Sequence, residues 1–252
     1  MEIDKKELNQ FIDAGENIKA NLSSWTFEGI SNNFDVHISN SVPLYFEANQ
    51  IVIGLTDYFI NKNSQILDIG SSTGTLSLGI SQRHKKKDNI TFILVDEIKD
   101  MISKSRNKIK EENKNPSHKF IFNCLNLEEF KFPSNLDIVT SMYTIQFLSP
   151  SIRQEIFNRI YQSLNWGGAF FFFEKTNGND ARFHDMLIQN YEDFKIKNGY
   201  SINEIKAKQL SLRGVLKPFS SRGNHDLLKR SGFEDIQIIF RYGLFEGILA
   251  IK

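Results

Sequence analysis

The sequence predicts an α/β fold: one doubly wound mixed sheet of seven strands, the last antiparallel, with helices on both faces and a helical insertion near its end. Three observations carry that prediction. The strand-like run Gln65-Ile66-Leu67-Asp68-Ile69 ends in a turn of small residues, Gly70-Ser71-Ser72-Thr73-Gly74, and a helical pattern follows. A second apolar run, Ile90 to Val95, ends in the acid pair Asp96-Glu97. Strand-like and helix-like segments then alternate as far as Glu174, and 233–241 and 245–251 read as a closing hairpin about Tyr242-Gly243.

Taken in order, residues 1–24 are polar, with apolar positions at Leu8, Phe11, Ile12 and Ile18, and read as a short helix. Residues 1–45 form an N-terminal helical cap on the main domain, 46–252. Ser41 and Pro43 mark a break before a helix from about Tyr45 to Ile60, which puts Tyr45 near the mouth of the sheet. The first strand, 65–69, is followed by a helix over 74–83, closed by the basic run His84-Lys85-Lys86-Lys87, a solvated turn. The second strand, 90–95, leads into a helix over 99–112 with Met101, Ile102 and Ile109 facing inward. The third strand, 119–123, ends at Cys124-Leu125-Asn126, and the fourth, 136–141, ends at Met142-Tyr143-Thr144. Pro150 and Ser151 open a helix to about Leu164, and the fifth strand is 169–174. Residues 176–220 break the alternation with two helical patterns, 179–198 and 201–212, parted by Asn198-Gly199-Tyr200; they read as a lid. The last helix, 222–231, is stopped by Gly232.

Composition excludes several roles. Lys plus Arg is 31 against 30 for Asp plus Glu, so a net charge of +1 gives no bulk attraction to nucleic acid or to an anionic membrane. The single cysteine, Cys124, excludes an internal disulfide and a cysteine metal cluster, and suits a cytoplasmic protein. Met1 to Leu8 lacks the apolar core of a signal peptide, and no apolar run approaches the roughly 18 residues of a membrane span. Phenylalanine occurs 22 times, enough to fill the core and still line an aromatic pocket.

In doubly wound sheets ligands bind beyond the carboxyl ends of the strands, so the turn after the first strand faces the expected site. Gly70 and Gly74 suit a sharp turn or close approach to a ligand. Their spacing, Asp-x-Gly-x-x-x-Gly, is not the dinucleotide pattern. Asp96, at the end of the second strand, can accept both hydroxyls of an adenosine ribose. Turn and acid together fit nicotinamide dehydrogenases and methyltransferases that use S-adenosylmethionine. The looser glycine spacing favours the second, because no pyrophosphate has to be cradled. Cys124 falls where an adenine would lie and is expected to pack as a small apolar group.

Further residues carry a resemblance. Trp25-Thr26-Phe27, Ser41-Val42-Pro43 with Tyr45, Asp68-Ile69-Gly70-Ser71-Ser72, Thr144-Ile145-Gln146-Phe147-Leu148 and Glu174-Lys175 belong to it. So do Asp193-Phe194-Lys195, Asn198-Gly199-Tyr200-Ser201, Glu204-Ile205 and Ser231-Gly232-Phe233. From about residue 25 onward the chain resembles the carboxy-S-adenosyl-L-methionine synthase family, proteins of the Rossmann-like class I methyltransferase fold that serve tRNA wobble-uridine modification. The resemblance implies that Tyr45, Gly70, Ser71, Ser72, Asp96, Glu97, Cys124, Leu125 and Met142 contact the cofactor, beside Asp68 and Gly74 from the turn itself. It also implies a homodimer, with the N-terminal segment or the lid at the contact.

The sequence departs from that family at four positions. Cys124 stands for an acid, Met142 and Glu97 each stand for an asparagine, and Gln209 stands for the lid arginine that pairs with the extra carboxylate of the family's product. An amide cannot replace a guanidinium fork. The reading is therefore an S-adenosylmethionine-dependent methyltransferase for a small, planar or aromatic acceptor, a role in small-molecule biosynthesis. Tyr143 and Gln209, with Phe27 and Tyr200 behind them, are expected to contact substrate. Carboxy-S-adenosylmethionine synthesis from prephenate, with Arg213 or Lys208 in the arginine's place, is the second reading; a non-catalytic cofactor-binding protein is the third. His37, His184 and Tyr200 are the side chains able to act as a base, and none is assigned that role.

Overall fold

The computed structural model describes residues 12–13, 19–20 and 34–252. One sheet holds β1 (Gln65–Ile69), β2 (Thr91–Asp96), β3 (Lys119–Cys124), β4 (Leu136–Met142), β5 (Leu164–Lys175), β6 (Asp235–Tyr242) and β7 (Phe245–Ile251). Their order is β3-β2-β1-β4-β5-β7-β6. The first five strands pair in parallel, and β7 runs antiparallel to both β5 and β6. This is the predicted α/β Rossmann-like sheet with its inverted closing strand. The strand order turns back between β1 and β4, which opens a crevice at their carboxyl ends.

Helices cover both faces: α1 (Phe34–Ser41), α2 (Tyr45–Leu55), α3 (Thr75–Arg83), α4 (Lys99–Glu112), α5 (Pro150–Ser163), α6 (Ala181–Lys197), α7 (Ile202–Ser211) and α8 (Ser221–Ser231). Strands buried on both sides read as continuous apolar runs. The four phenylalanines of β5 divide between two cores because successive strand residues face opposite ways. Phe171 and Phe173 meet Val52 of α2 and Ile80 of α3, whereas Phe170 and Phe172 meet Phe157 of α5 and Leu228 of α8.

Two expectations need correction. The first 24 residues were expected to be helical, yet Ile12–Asp13 and Lys19–Ala20 pair as antiparallel strands and lie against α7. Gly15 and Asn17, poor helix formers, stand between them in sequence. The fifth strand was expected over 169–174 but begins at Leu164, with Asn165-Trp166-Gly167-Gly168, which reads as a turn in the sequence, inside it; the register with β4 shifts between Leu136 and Ile138. Gly167 takes the left-handed backbone there, at φ 77°.

The lid is two helices. Ser201 and Glu204 form a reciprocal cap that opens α7, and Gly199, at φ 95°, makes the turn before it. The pair docks on α1. Tyr191 donates to the Ser41 carbonyl at 2.7 Å, Asn198 donates to the Asn40 carbonyl at 3.1 Å, and the Tyr200 and Ser41 hydroxyls lie 3.1 Å apart. Among the described residues no helix is long and apolar enough to cross a membrane.

Candidate functional site

A cleft lies at the carboxyl ends of β1, β2 and β4. Tyr45, Asp68, Gly70, Ser71, Ser72, Asp96, Glu97, Leu125, Met142 and Tyr143 all line it. The fold thus brings together most of the positions singled out in the sequence, from segments far apart in the chain.

Each side of the cleft has a physical cause. Asp68 is buried and accepts hydrogen bonds from Ser77 of α3 at 2.6 Å and Thr140 of β4 at 2.8 Å, so it pins three elements beneath the turn. Gly70 and Gly74 have φ of 67° and 75°, which favours glycine. A Cβ at Gly70 would sit 2.1 Å from the Thr144 hydroxyl, and one at Gly74 would sit 2.2 Å from the Ser105 hydroxyl. Both glycines therefore admit neighbouring protein; Gly74 itself does not line the cleft. Asp96 accepts from the Ser72 and Ile98 amides, each at 2.9 Å, which aims its carboxylate across the turn. Burial raises its pKa to about 6, against the pull of those two amides.

The opposite wall was less visible in the sequence. Phe34 and Ile38 of α1, Met101 of α4, and Phe147 and Leu148 beyond β4 supply apolar surface. Asp35 fastens α1 over the turn: Thr73 donates to it at 2.6 Å and Lys108 of α4 at 2.8 Å. Burial acts to raise the Asp35 pKa, but these two hydrogen bonds hold it below the ordinary value. The sequence had marked Met101 as inward-facing and Phe147-Leu148 as part of the resemblance, but of the α1 contribution the i, i+4 spacing of Phe34 and Ile38 is the one trace. Nothing in the sequence pairs Asp35 with a lysine far down the chain.

Tyr143 closes the inner end. Its φ is 58°, its amide donates to the Phe173 carbonyl at 2.7 Å, and its ring is bracketed by Tyr45, Phe173 and Phe245 at 6.3, 6.2 and 5.9 Å between centroids. Its buried hydroxyl has no hydrogen-bond partner among the described residues, and the Ser71 hydroxyl is in the same condition. Burial raises the pKa of Tyr143, so it is a neutral donor and acceptor.

Other expected residues lie elsewhere. Cys124 is exposed, not buried against a ring; it ends the edge strand β3 and donates to the Glu97 carbonyl at 3.6 Å. Gln209 is on the exposed face of α7, bonded to Glu192 of α6, so it does not reach the cleft. A step of about 100° per residue turns its neighbour Lys208 inward instead, 2.6 Å from His37. Arg213 is exposed. Tyr200 is buried between α1 and the lid, with its hydroxyl 3.3 Å from His37, and does not line the cleft. Burial and two lysines lower the His37 pKa to about 3, and His184 accepts from the Gly178 amide, so neither histidine is placed as a base at the cleft. Phe27 and Trp25 lie outside the described residues.

Comparison with known proteins agrees with this geometry. A family profile described as a methyltransferase domain matches residues 66–168. The carboxy-S-adenosyl-L-methionine synthase of Staphylococcus epidermidis is 37% identical over 92% of this chain and 99% of its own. That of Campylobacter lari is 35% identical over 87% of this chain and 90% of its own. Among solved structures, an S-adenosylmethionine-dependent methyltransferase of Methanosarcina mazei superposes with a TM-score of 0.57 at 15% identity, covering 79% of this chain and 96% of that one. At that identity the likeness speaks for the fold.

Proposed function

The chain belongs to the carboxy-S-adenosyl-L-methionine synthase family and is an S-adenosylmethionine-dependent enzyme of the methyltransferase type; from that premise we propose that it methylates a small planar or aromatic acceptor. One observation carries the proposal. Among the described residues that line the cleft are three acids, Asp68, Asp96 and Glu97, and no lysine or arginine. Such a lining suits a cationic sulfonium with an apolar methyl. Among the described residues it gives a cofactor bearing an extra carboxylate no cationic partner, and a buried charge without a counter-charge is costly.

The residues present fit the cofactor. Asp96 has lone pairs left on both oxygens after accepting two amides, enough for two ribose hydroxyls. Ser71 offers a hydroxyl without a partner among the described residues, and Leu125 with Met142 offers apolar surface for the base. Bound S-adenosylmethionine supplies an electrophilic methyl. The chain's part is to hold acceptor and methyl in line and to keep water out. Tyr143 is the residue we assign to the acceptor, because it lines the cleft and its hydroxyl has no hydrogen-bond partner among the described residues. No base is assigned, and none is needed if the acceptor is already ionised.

A second reading, formation of the carboxylated sulfonium, is favoured by the names of relatives that match nearly the whole chain. Mass spectrometry of the cofactor that co-purifies with the native protein separates the two. We expect ordinary S-adenosylmethionine or its homocysteine product; the carboxylated form would overturn the methyltransferase reading. We further infer a cytoplasmic homodimer that meets through the lid, whose Phe183, Met186 and Ile202 are exposed at 48%, 57% and 74%. Light scattering that returned a monomer mass would remove it.

A further inference from the structure

Beyond Tyr143, away from the acid-lined cleft, two lysines share one aromatic ring. Lys195 of α6 is buried, and its ammonium lies 4.3 Å from the Tyr191 ring centroid. The Lys175 ammonium, at the end of β5, lies 4.7 Å from the same centroid. Neither ammonium has a hydrogen bond or a salt bridge among the described residues. Two like charges in one half-buried place repel each other and lose hydration; a cation–π contact offsets part of that cost, not all of it. Burial drives the pKa of Lys195 down to about 7 and that of Lys175 to about 8. Glu192, the acid that acts on both, is itself bonded to Gln209. Lys208, next along, donates to His37.

Position adds to the case. Tyr191 packs on Phe245 at 5.1 Å between centroids, and Phe245 packs on Tyr143 at 5.9 Å, so a continuous aromatic wall leads from the cleft to the lysines. The Lys175 amide donates to the side chain of Gln146, which in turn donates to the Tyr143 carbonyl. The loop at the inner end of the cleft and the strand end that bears Lys175 therefore form one unit.

We propose that Lys175 and Lys195 form a carboxylate-binding subsite, and that the acceptor is a carboxylate-bearing aromatic or planar molecule whose ring lies along Tyr143 and Phe245. This rests on the methyltransferase reading above, and it narrows the acceptor to anions. A carboxylate bound at the ammoniums around Tyr191 would supply the counter-charge that the described residues leave out. The methionine tail of the cofactor is a separate carboxylate, which the residues of the turn, Gly70 to Ser72, would hold.

The test uses the full chain saturated with S-adenosylhomocysteine. Benzoate and phenylacetate, with benzamide and phenylacetamide as neutral counterparts, are titrated and followed by calorimetry. Wild type should prefer the acids. Lys175→Met and Lys195→Met should each lose roughly tenfold or more in affinity for them, the worth of one charge-assisted hydrogen bond, with homocysteine-cofactor binding unchanged. Removing a buried charge should not unfold the protein, and a melting curve for each variant checks this. Equal binding of acids and amides, or acid affinity unmoved in both variants, overturns the subsite while leaving the cofactor reading intact. Failure of S-adenosylhomocysteine to bind wild type overturns that reading instead. A third arm repeats the titration with the carboxylated sulfonium: lysine variants that weaken it, and not benzoate or phenylacetate, give the subsite to the cofactor and refute an acidic acceptor.

Discussion

Asp96 gives the sharpest test of the site. Its carboxylate accepts two backbone amides at 2.9 Å, and burial holds its pKa near 6 before any ligand arrives. Asp96→Asn keeps the shape and one acceptor oxygen but loses the charge. A hydrogen bond to a charged group contributes roughly 1.5–3 kcal/mol, so S-adenosylhomocysteine affinity at pH 7.5 should fall roughly 10- to 150-fold. The pH dependence has a definite sign. A carboxyl with a raised pKa becomes neutral as the pH falls through that value, so wild-type affinity should be flat above pH 7 and decline below about 6. One unit lower, roughly a tenth of the protein retains the ionised form. The asparagine variant cannot titrate and should be flat throughout. Isothermal calorimetry from pH 5 to 8 decides. Parallel profiles for the two proteins, or a change of less than about threefold at pH 7.5, would refute Asp96 as the ribose acceptor.

Three other outcomes are expected. Asp35→Asn weakens the fastening of α1; since Asp35 and Lys108 are partly exposed, the loss is modest, and the S-adenosylhomocysteine off-rate should rise roughly two- to fivefold in stopped-flow measurements. Tyr143→Phe removes a buried hydroxyl with no hydrogen-bond partner among the described residues, so the thermal midpoint should hold or rise slightly while acceptor turnover falls; an unchanged turnover number would exclude the hydroxyl from the acceptor site. Gln209→Arg should leave the preference between ordinary and carboxylated cofactor unaltered in competition binding, because the side chain at 209 faces Glu192 on the outside of the lid.

The sheet was legible because its signals are local. Continuous apolar runs of strand length, each closed by small residues or an acid, mark β1, β2 and β4, and the same boundaries place the cleft. Asp96 and the turn at Gly70 could be read for the same reason. What escaped was contact between distant segments. The Asp35–Lys108 pair and the α1 wall depend on two helices meeting face to face, which no spacing encodes. Cys124 was misread because strand position alone does not say which edge of the sheet is left uncovered. Gln209 was misread because alignment gives a position along a helix, and its azimuth is decided by which neighbours bury Ile205 and Ala207.

Helix α1 serves the cleft and the lid with one continuous stripe, since positions i, i+3, i+4 and i+7 share a face. Phe34 and Ile38 form part of the cofactor wall, while His37 and Ser41 lie under Tyr200, Tyr191 and Lys208 of the lid. An eight-residue helix that touches both cannot shift against the lid without shifting against the cleft. The consequence is kinetic. If an acceptor keeps the lid seated, the wall over the cofactor is held with it, and the expected turnover is ordered, with the cofactor first to bind and its homocysteine remnant last to leave. Product-inhibition patterns check this: the remnant should then compete with the methyl donor and inhibit non-competitively against the acceptor.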